Sequence, residues 1–186
     1  MKDNILQDVH AFEECKFNTA SGKLISIYDP KPEDICIEDI AASLSKICRF
    51  GGNIGEFYSV AQHSVMVSFL APDELKKAAL LHDAAEAYLG DVIKPLKHIL
   101  EPLYTPIEQR FEKVIFEKFN VPIDHLEKIK PYDMQALTYE HEYFRGINRR
   151  HLIDFWHNYL PWLDVCLNHS RSRHMFSDRY DKIFYS

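Results

Sequence analysis

Apolar residues recur along most of this chain at helical intervals, and the alternation expected of half-buried strands is nearly absent. Ile37, Ile40, Ala41, Leu44, Ile47 and Cys48 lie 3, 1, 3, 3 and 1 positions apart, one stripe of a helix that Gly51-Gly52 ends. Ser59 is a capping residue ahead of a second helix over 60–70, which Pro72 closes. A third helix is predicted over 73–89, with Gly90 as its left-handed cap. Thr105-Pro106-Ile107-Glu108 reads as a helix start, with a capping threonine, a proline in the first turn and a glutamate that reaches back. That helix buries Ile107, Phe111, Val114, Ile115 and Phe119. Another follows Pro131 and carries Asp133, Leu137, Glu140 and Phe144, and the aromatic-rich stretch 152–186 adds one or two more. Ahead of residue 32 the chain is irregular, apart from one short extended segment over 24–28 between Gly22 and Asp29-Pro30. The prediction is an all-α bundle of about six to eight helices with a short N-terminal extended segment, forming a single domain over 1–186.

Composition narrows the function classes. The 186 residues are 46% hydrophobic and 27% charged, the range of an ordinary folded domain. No apolar run is long enough to span a bilayer, and the first residues lack the continuous apolar core of a secretory leader, so no membrane association is expected. Cys15, Cys36, Cys48 and Cys166 form no Cys-x-x-Cys pair, which points to reduced thiols, several in the core, of a cytoplasmic protein. A net charge of −6 without a basic run disfavours a stable nucleic-acid complex. A small anionic substrate remains compatible, provided a few cations converge in one pocket. Ten histidines direct the search toward metal ligands.

The decisive segment is His82-Asp83-Ala84-Ala85-Glu86-Ala87-Tyr88-Leu89-Gly90-Asp91. The apolar stripe of Leu75, Ala78 and Ala79 continues by helical steps onto His82, Ala85, Glu86 and Leu89, so a histidine and a glutamate occupy inward positions. Buried ionisable groups are costly unless paired or metal-bound. Asp83 reaches the same space from the edge, and the alanines leave room for an ion and a substrate. His63 lies one turn into the preceding helix, near the inward Val60 and Val67, and Asp133 begins a later one. Taken singly, these are a core histidine, a helix-start aspartate and a surface glutamate. Taken together, His63, His82, Asp83 and Asp133 make a mixed nitrogen and oxygen shell that suits a divalent ion such as Mn²⁺, Co²⁺, Zn²⁺, Fe²⁺ or, less well, Mg²⁺.

This order of residues resembles the H…HD…D signature of the HD-domain metal-dependent phosphohydrolases. The similarity is closest to the branch of bacterial 5′-deoxynucleotidases and phage deoxyadenosine triphosphate triphosphohydrolases. It is carried by Arg49-Phe50 ahead of Tyr58-Ser59-Val60-Ala61-Gln62-His63, by the run from His82 to Asp91, and by Val92-Ile93-Lys94-Pro95-Leu96-Lys97, and covers about residues 17–144, leaving 145–186 as a helical extension. The resemblance implies an HD-domain bundle whose metal is bound by His63, His82, Asp83 and Asp133. It implies that Glu86 handles the attacking water, that Arg49 clamps phosphate, that Asp91 accepts a hydrogen bond from the sugar 3′-hydroxyl, and that Lys97 neutralises further phosphate charge. Phe50 stands where close relatives carry tryptophan, and Gly51-Gly52-Asn53 alters the loop after it.

The expected activity is hydrolysis of a nucleotide phosphate bond, with Glu86 and Asp83 at the chemistry and Arg49, Phe50, Asp91, Lys94 and Lys97 on the substrate. Lys94, Lys97 and His98 favour a deoxynucleoside triphosphate cut at the α-phosphorus, and a deoxynucleoside monophosphate is the alternative. A non-catalytic nucleotide-binding module would need the four ligands but not Glu86. A helical interaction domain is weaker still, since Trp156 and Trp162 do not share a helical face. Oligomeric relatives imply a homodimer or larger homo-oligomer.

Overall fold

A computed structural model describes residues 15–185. The expectation about a leader falls mainly on residues 1–14 and lies outside that range. The described chain is an all-α bundle, as its periodicity predicts. A small antiparallel hairpin precedes it, formed by β1 (Lys16–Asn18) and β2 (Leu24–Ser26) with Phe17 opposite Ile25. The predicted segment 24–28 thus shortens to β2, and its partner β1 escaped notice because two of its three residues are polar. The hairpin is tied down by Asp39, whose carboxylate accepts from the Ser21 backbone N–H and hydroxyl, both at 2.7 Å.

Helices follow in the order α1 (Ile37–Leu44), α2 (Val60–Leu70), α3 (Lys76–Leu81), α4 (Glu86–Leu89), α5 (Lys94–Lys118), α6 (His125–Phe144), α7 (Arg150–Tyr159) and α8 (His169–Phe184). α1 ends at Ser45, before the predicted stop at Gly51-Gly52, and a tight turn over Arg49–Gly52 follows. α2 has the predicted bounds. Ser59 accepts from the Gln62 N–H, and the Gln62 side chain reciprocates. α2 is the core helix, buried on every side from Val60 to Ser68, and it packs against α1, α3, α6 and α8.

Besides the end of α1, three helices differ from expectation. The continuous helix over 73–89 is instead a 3₁₀ turn at Asp73–Leu75, then α3, a tightened stretch over 82–85, and α4. In that stretch the N–H groups of Ala84, Glu86, Ala87 and Tyr88 bond three residues back. Gly90 has the predicted positive φ of 80°, but its ψ of 160° is extended rather than left-handed helical, a conformation open essentially to glycine. α5 begins at Lys94-Pro95, not at Thr105, and contains Pro102 and Pro106. Its Lys97 and Glu108 side chains meet at 2.7 Å. An ideal helix would place their Cα atoms ~16 Å apart, beyond the reach of the two side chains, so the rod bends between them, where the prolines lie. Pro106 therefore marks a bend rather than a start. α6 likewise begins at His125, ahead of Pro131.

The C-terminal stretch adds two helices, and they are part of the core. Trp156 and Phe176 are fully buried, and α8 lies along α2. The Gln62 amide bonds the Val165 carbonyl and the Leu167 N–H, tying that segment to the centre of the bundle. The four cysteines form no disulfide, but none is in the core: Cys15 is exposed and the other three are half-buried. No helix among the described residues is long and apolar enough to cross a membrane.

Candidate metal centre

α2 carries His63 to a fully buried position one turn past its cap, where α6 faces it. Its Nε2 lies 3.0 Å from Asp133 Oδ1 and 3.6 Å from Asp83 Oδ2. His82 Nε2 lies 3.2 Å from Asp83 Oδ2 and 3.8 Å from Asp133 Oδ1. The backbone tightens after α3. With three residues per turn, Asp83 and Glu86 fall one above the other rather than on diverging faces. His63, His82 and Asp133 offer ligand atoms that all lie within 4.8 Å of one another, a group that could hold a metal ion. Asp83 adjoins it through Oδ2.

The chemistry of the donor set fits a divalent cation. His82 Nδ1 donates to the Ala79 carbonyl at 2.8 Å, which turns Nε2 toward the carboxylates of Asp83 and Asp133. That atom is buried and has no hydrogen-bond partner, while carboxylate oxygens of Asp83 and Asp133 lie near it. A buried ring nitrogen beside two carboxylate oxygens is a mixed donor set that a divalent cation can join. Donors bound side by side to one ion at ~2.1 Å lie ~3.0–3.4 Å apart, close to the shorter separations here.

Behind the candidate ligands stands Glu140, a fully buried carboxylate that the sequence placed on a helix with Asp133 without a role. Its Oε1 accepts from His63 Nδ1 at 2.7 Å, and its Oε2 accepts from Arg49 at 3.1 Å. A carboxylate behind a ligating imidazole fixes the ring and leaves Nε2 for the metal. The signal in the sequence was the seven-residue interval from Asp133, two helical turns on the same face.

Arg49 is half-buried between Glu140 and Asp83, the latter at 3.7 Å. Burial opposes its charge, yet Glu140, Asp83 and Glu86 raise its pKa further. Burial and Arg49 oppose protonation of His63, but Glu140 and Asp133 outweigh them and push its pKa up to about 9. The carboxylates separate by environment. Burial raises Asp83, Asp133 and Glu140, but the histidines, with Arg49 at Asp83 and Glu140, hold all three below the usual range. Glu86 is different: burial, then Asp83 and Asp91, drive it well above its ordinary value. One of its oxygens is buried without a partner, and Lys97 stands 3.8 Å from the other.

These groups open onto one cleft of about 600 Å³. Arg49, Phe50, Asp83, Glu86, Asp91, Lys94, Lys97 and Asp133 all line it, so every sequence-selected site residue except the two histidines faces the same space. His63 and His82 touch it through Asp83 and Asp133. Lys97 is already engaged by Glu108, whereas Lys94 stands exposed at the rim. His141 and Arg145 also line the cleft, and sequence reasoning missed them because α6 was followed only along its apolar face. Phe50 and Gly51 both have φ of 59°, and a Cβ on Gly51 would meet Ile93 Cγ2 at 3.3 Å. The loop thus holds a strained aromatic against the cleft, with its ring 6.1 Å from Phe144.

No protein-family model matches the chain. It is 45% identical over 122 residues to the uncharacterized protein YfdR of Escherichia coli (strain K12), covering 66% of this chain and 68% of that one. It is 38% identical over 111 residues to the uncharacterized protein RCAP_rcc00048 of Rhodobacter capsulatus, 55% of this chain and 57% of that one.

Proposed function

We propose that this chain, which belongs to the same family as YfdR, is a divalent-metal-dependent nucleotide phosphohydrolase of the HD-domain type. The observation that carries the reading is the orphaned Nε2 of His82, buried among carboxylates at the edge of a cleft that also holds a high-pKa glutamate and several cations. His63, His82, Asp83 and Asp133 would hold the ion. When bound, a divalent ion supplies Lewis acidity, lowering the pKa of water and offsetting charge on phosphoryl oxygens.

The chain's own residues supply the rest. Glu86, desolvated and poised above the ordinary carboxylate range, takes the proton of the attacking water. Arg49 turns its guanidinium toward the transferring group, with Glu140 and Asp83 holding its orientation. A cleft of this volume accommodates a nucleotide. The exposed Lys94 at the rim, with Arg145 and His141 also lining the cleft, suits an extended polyphosphate, so a deoxynucleoside triphosphate is the preferred substrate. Water oxygen bonds to the α-phosphorus, the bond to the 5′ oxygen breaks, the proton held by Glu86 passes to that oxygen, and nucleoside and triphosphate leave. Asp91, half-buried in the wall, is placed to accept a sugar hydroxyl.

The test is a panel of metal-stripped protein reloaded with Mn²⁺, Co²⁺, Zn²⁺, Fe²⁺ or Mg²⁺ and offered nucleoside mono-, di- and triphosphates, with products separated by chromatography. Release of nucleoside with inorganic triphosphate supports the preferred substrate, and release of phosphate from monophosphates alone replaces it with the 5′-nucleotidase reading. Glu86→Ala is expected to abolish turnover at unchanged metal content. If no nucleotide is cut with any metal yet nucleotides bind, the domain is a regulatory module and the hydrolase reading fails.

A further inference from the structure

A second cavity, of about 250 Å³, opens beside α2 and shares no lining residue with the cleft. Val65 and Phe69 of α2 form its floor, and Leu160, Trp162 and Leu163, from the segment after α7, form one wall. α8 supplies the other. Arg171, His174, Met175, Asp178, Arg179 and Lys182 follow at intervals of 3, 1, 3, 1 and 3, a stripe of that helix turned to the cavity. Trp162 is 73% exposed, an uncommon position for so large an apolar ring.

Arg179 gives the cavity its chemistry. Its Nε donates to the Ser68 hydroxyl at 2.8 Å and its Nη2 to the Ser68 carbonyl at 2.9 Å, while the guanidinium lies 3.8 Å over the Phe69 ring. Those contacts fix the plane and use only part of the donor fork. Unlike Arg49, Arg179 forms no ion pair among the described residues. Burial is the largest influence on it and lowers its pKa. Tyr159 and Asp73 offset this only in part, and Asp73 is itself paired with Lys76. A half-buried, immobilised guanidinium without a carboxylate is prepared for an incoming anion. The rest of the lining sets the charge of that anion. Arg171 is bonded to Asp164, and Asp178 offsets Lys182 in charge. Counting His174 as neutral, the lining keeps the single positive charge of Arg179. One carboxylate matches that charge, and a phosphate dianion exceeds it.

We propose that this cavity is a second binding site, for a small aromatic carboxylate whose carboxyl group is held by Arg179 and whose ring packs between Trp162 and the apolar floor. The volume lies below the range of about 300–1,000 Å³ that holds drug-sized ligands, so one ring or two fused rings fill it. The floor is the helix that also presents His63, so an occupant bears directly on the element behind the candidate metal centre. The site stands on its own lining and does not depend on the hydrolase reading.

The test is calorimetric titration of the full chain with 2-naphthoate, 2-naphthamide and 2-naphthylphosphonate, which carry the same rings with one, no and two negative charges. 2-Naphthoate is expected to bind about tenfold or more tightly than either of the others. Arg179→Leu should weaken 2-naphthoate by ~10–100-fold through loss of the charged donors, and Trp162→Ala by ~2–10-fold through loss of the ring contact. Should Arg179→Leu fold poorly, Trp162→Ala carries the localisation, since that side chain is exposed. Metal-stripped and metal-loaded protein should bind 2-naphthoate alike, which separates this cavity from the cleft. No binding of 2-naphthoate, equal binding of the amide, tighter binding of the phosphonate, affinity unchanged in the variants, or affinity lost with the metal would overturn the proposal. Binding is read rather than turnover, so either result leaves the hydrolase reading to its own test.

Discussion

Glu140→Gln is the sharpest perturbation of this centre, because one buried carboxylate holds both a proposed ligand and the arginine beside it. The substitution keeps the volume but removes the charge that pairs with His63 at 2.7 Å and Arg49 at 3.1 Å. An amide oxygen can still accept from one of them, while its NH₂ group then faces a donor. Breaking a buried pair on one side costs about 3–5 kcal/mol, and a group supporting a ligating histidine is worth ~10–100-fold in metal affinity. Urea unfolding of the metal-free protein should therefore show a loss of that order, and chelator competition should show weaker binding by one to two decades. The pH dependence carries a sign as well. The folded pKa of His63 is raised from 6.5 to about 9, so its stabilising contribution is complete below 6.5 and is lost as pH rises through 9. Glu140 is one cause of that shift, so the decline should be shallower in the variant. Wild-type metal affinity in a variant that has lost the expected stability would refute the supporting role.

Asp133→Asn should lower metal affinity at least tenfold at a small stability cost, since the amide oxygen still accepts from His63 and the side chain is partly exposed; stoichiometric metal retained at wild-type affinity would place the ion elsewhere. Glu86→Gln should raise the melting temperature of metal-free protein at alkaline pH while lowering turnover ~10²–10⁴-fold. The sign follows from its raised folded pKa, because the unfolded carboxyl ionises more readily and folding weakens as pH climbs. An unchanged or lower melting temperature at alkaline pH would contradict the burial of an uncompensated carboxylate. Gly51→Ala combines a positive φ with a 3.3 Å approach to Ile93; a loss of about 1–2 kcal/mol is expected in denaturant titration, together with a higher KM through displaced Arg49, and neutrality on both counts would show that the loop adjusts freely.

Local signals in the sequence determined a good part of this protein. Ser59 and Gln62 set the start of α2, the apolar intervals set the fold class, and His63, His82 and Glu86 stood out because ionisable residues fell on or near faces that had to be buried, with Asp83 at the edge of one such face and Asp133 at a helix start. What escaped was whatever depended on distant contacts. Pro106 carries the same local chemistry whether it opens a helix or bends one, and the approach of Lys97 to Glu108 decided between them. The break after α3 could not be read from an unbroken helical pattern, yet it brings Asp83 into line with Glu86. Glu140 acquired meaning only when packing set His63 and Arg49 against its two oxygens. Periodicity reports which face of an element avoids water; the partners met on that face are fixed by long-range packing, where the tertiary structure alone decides.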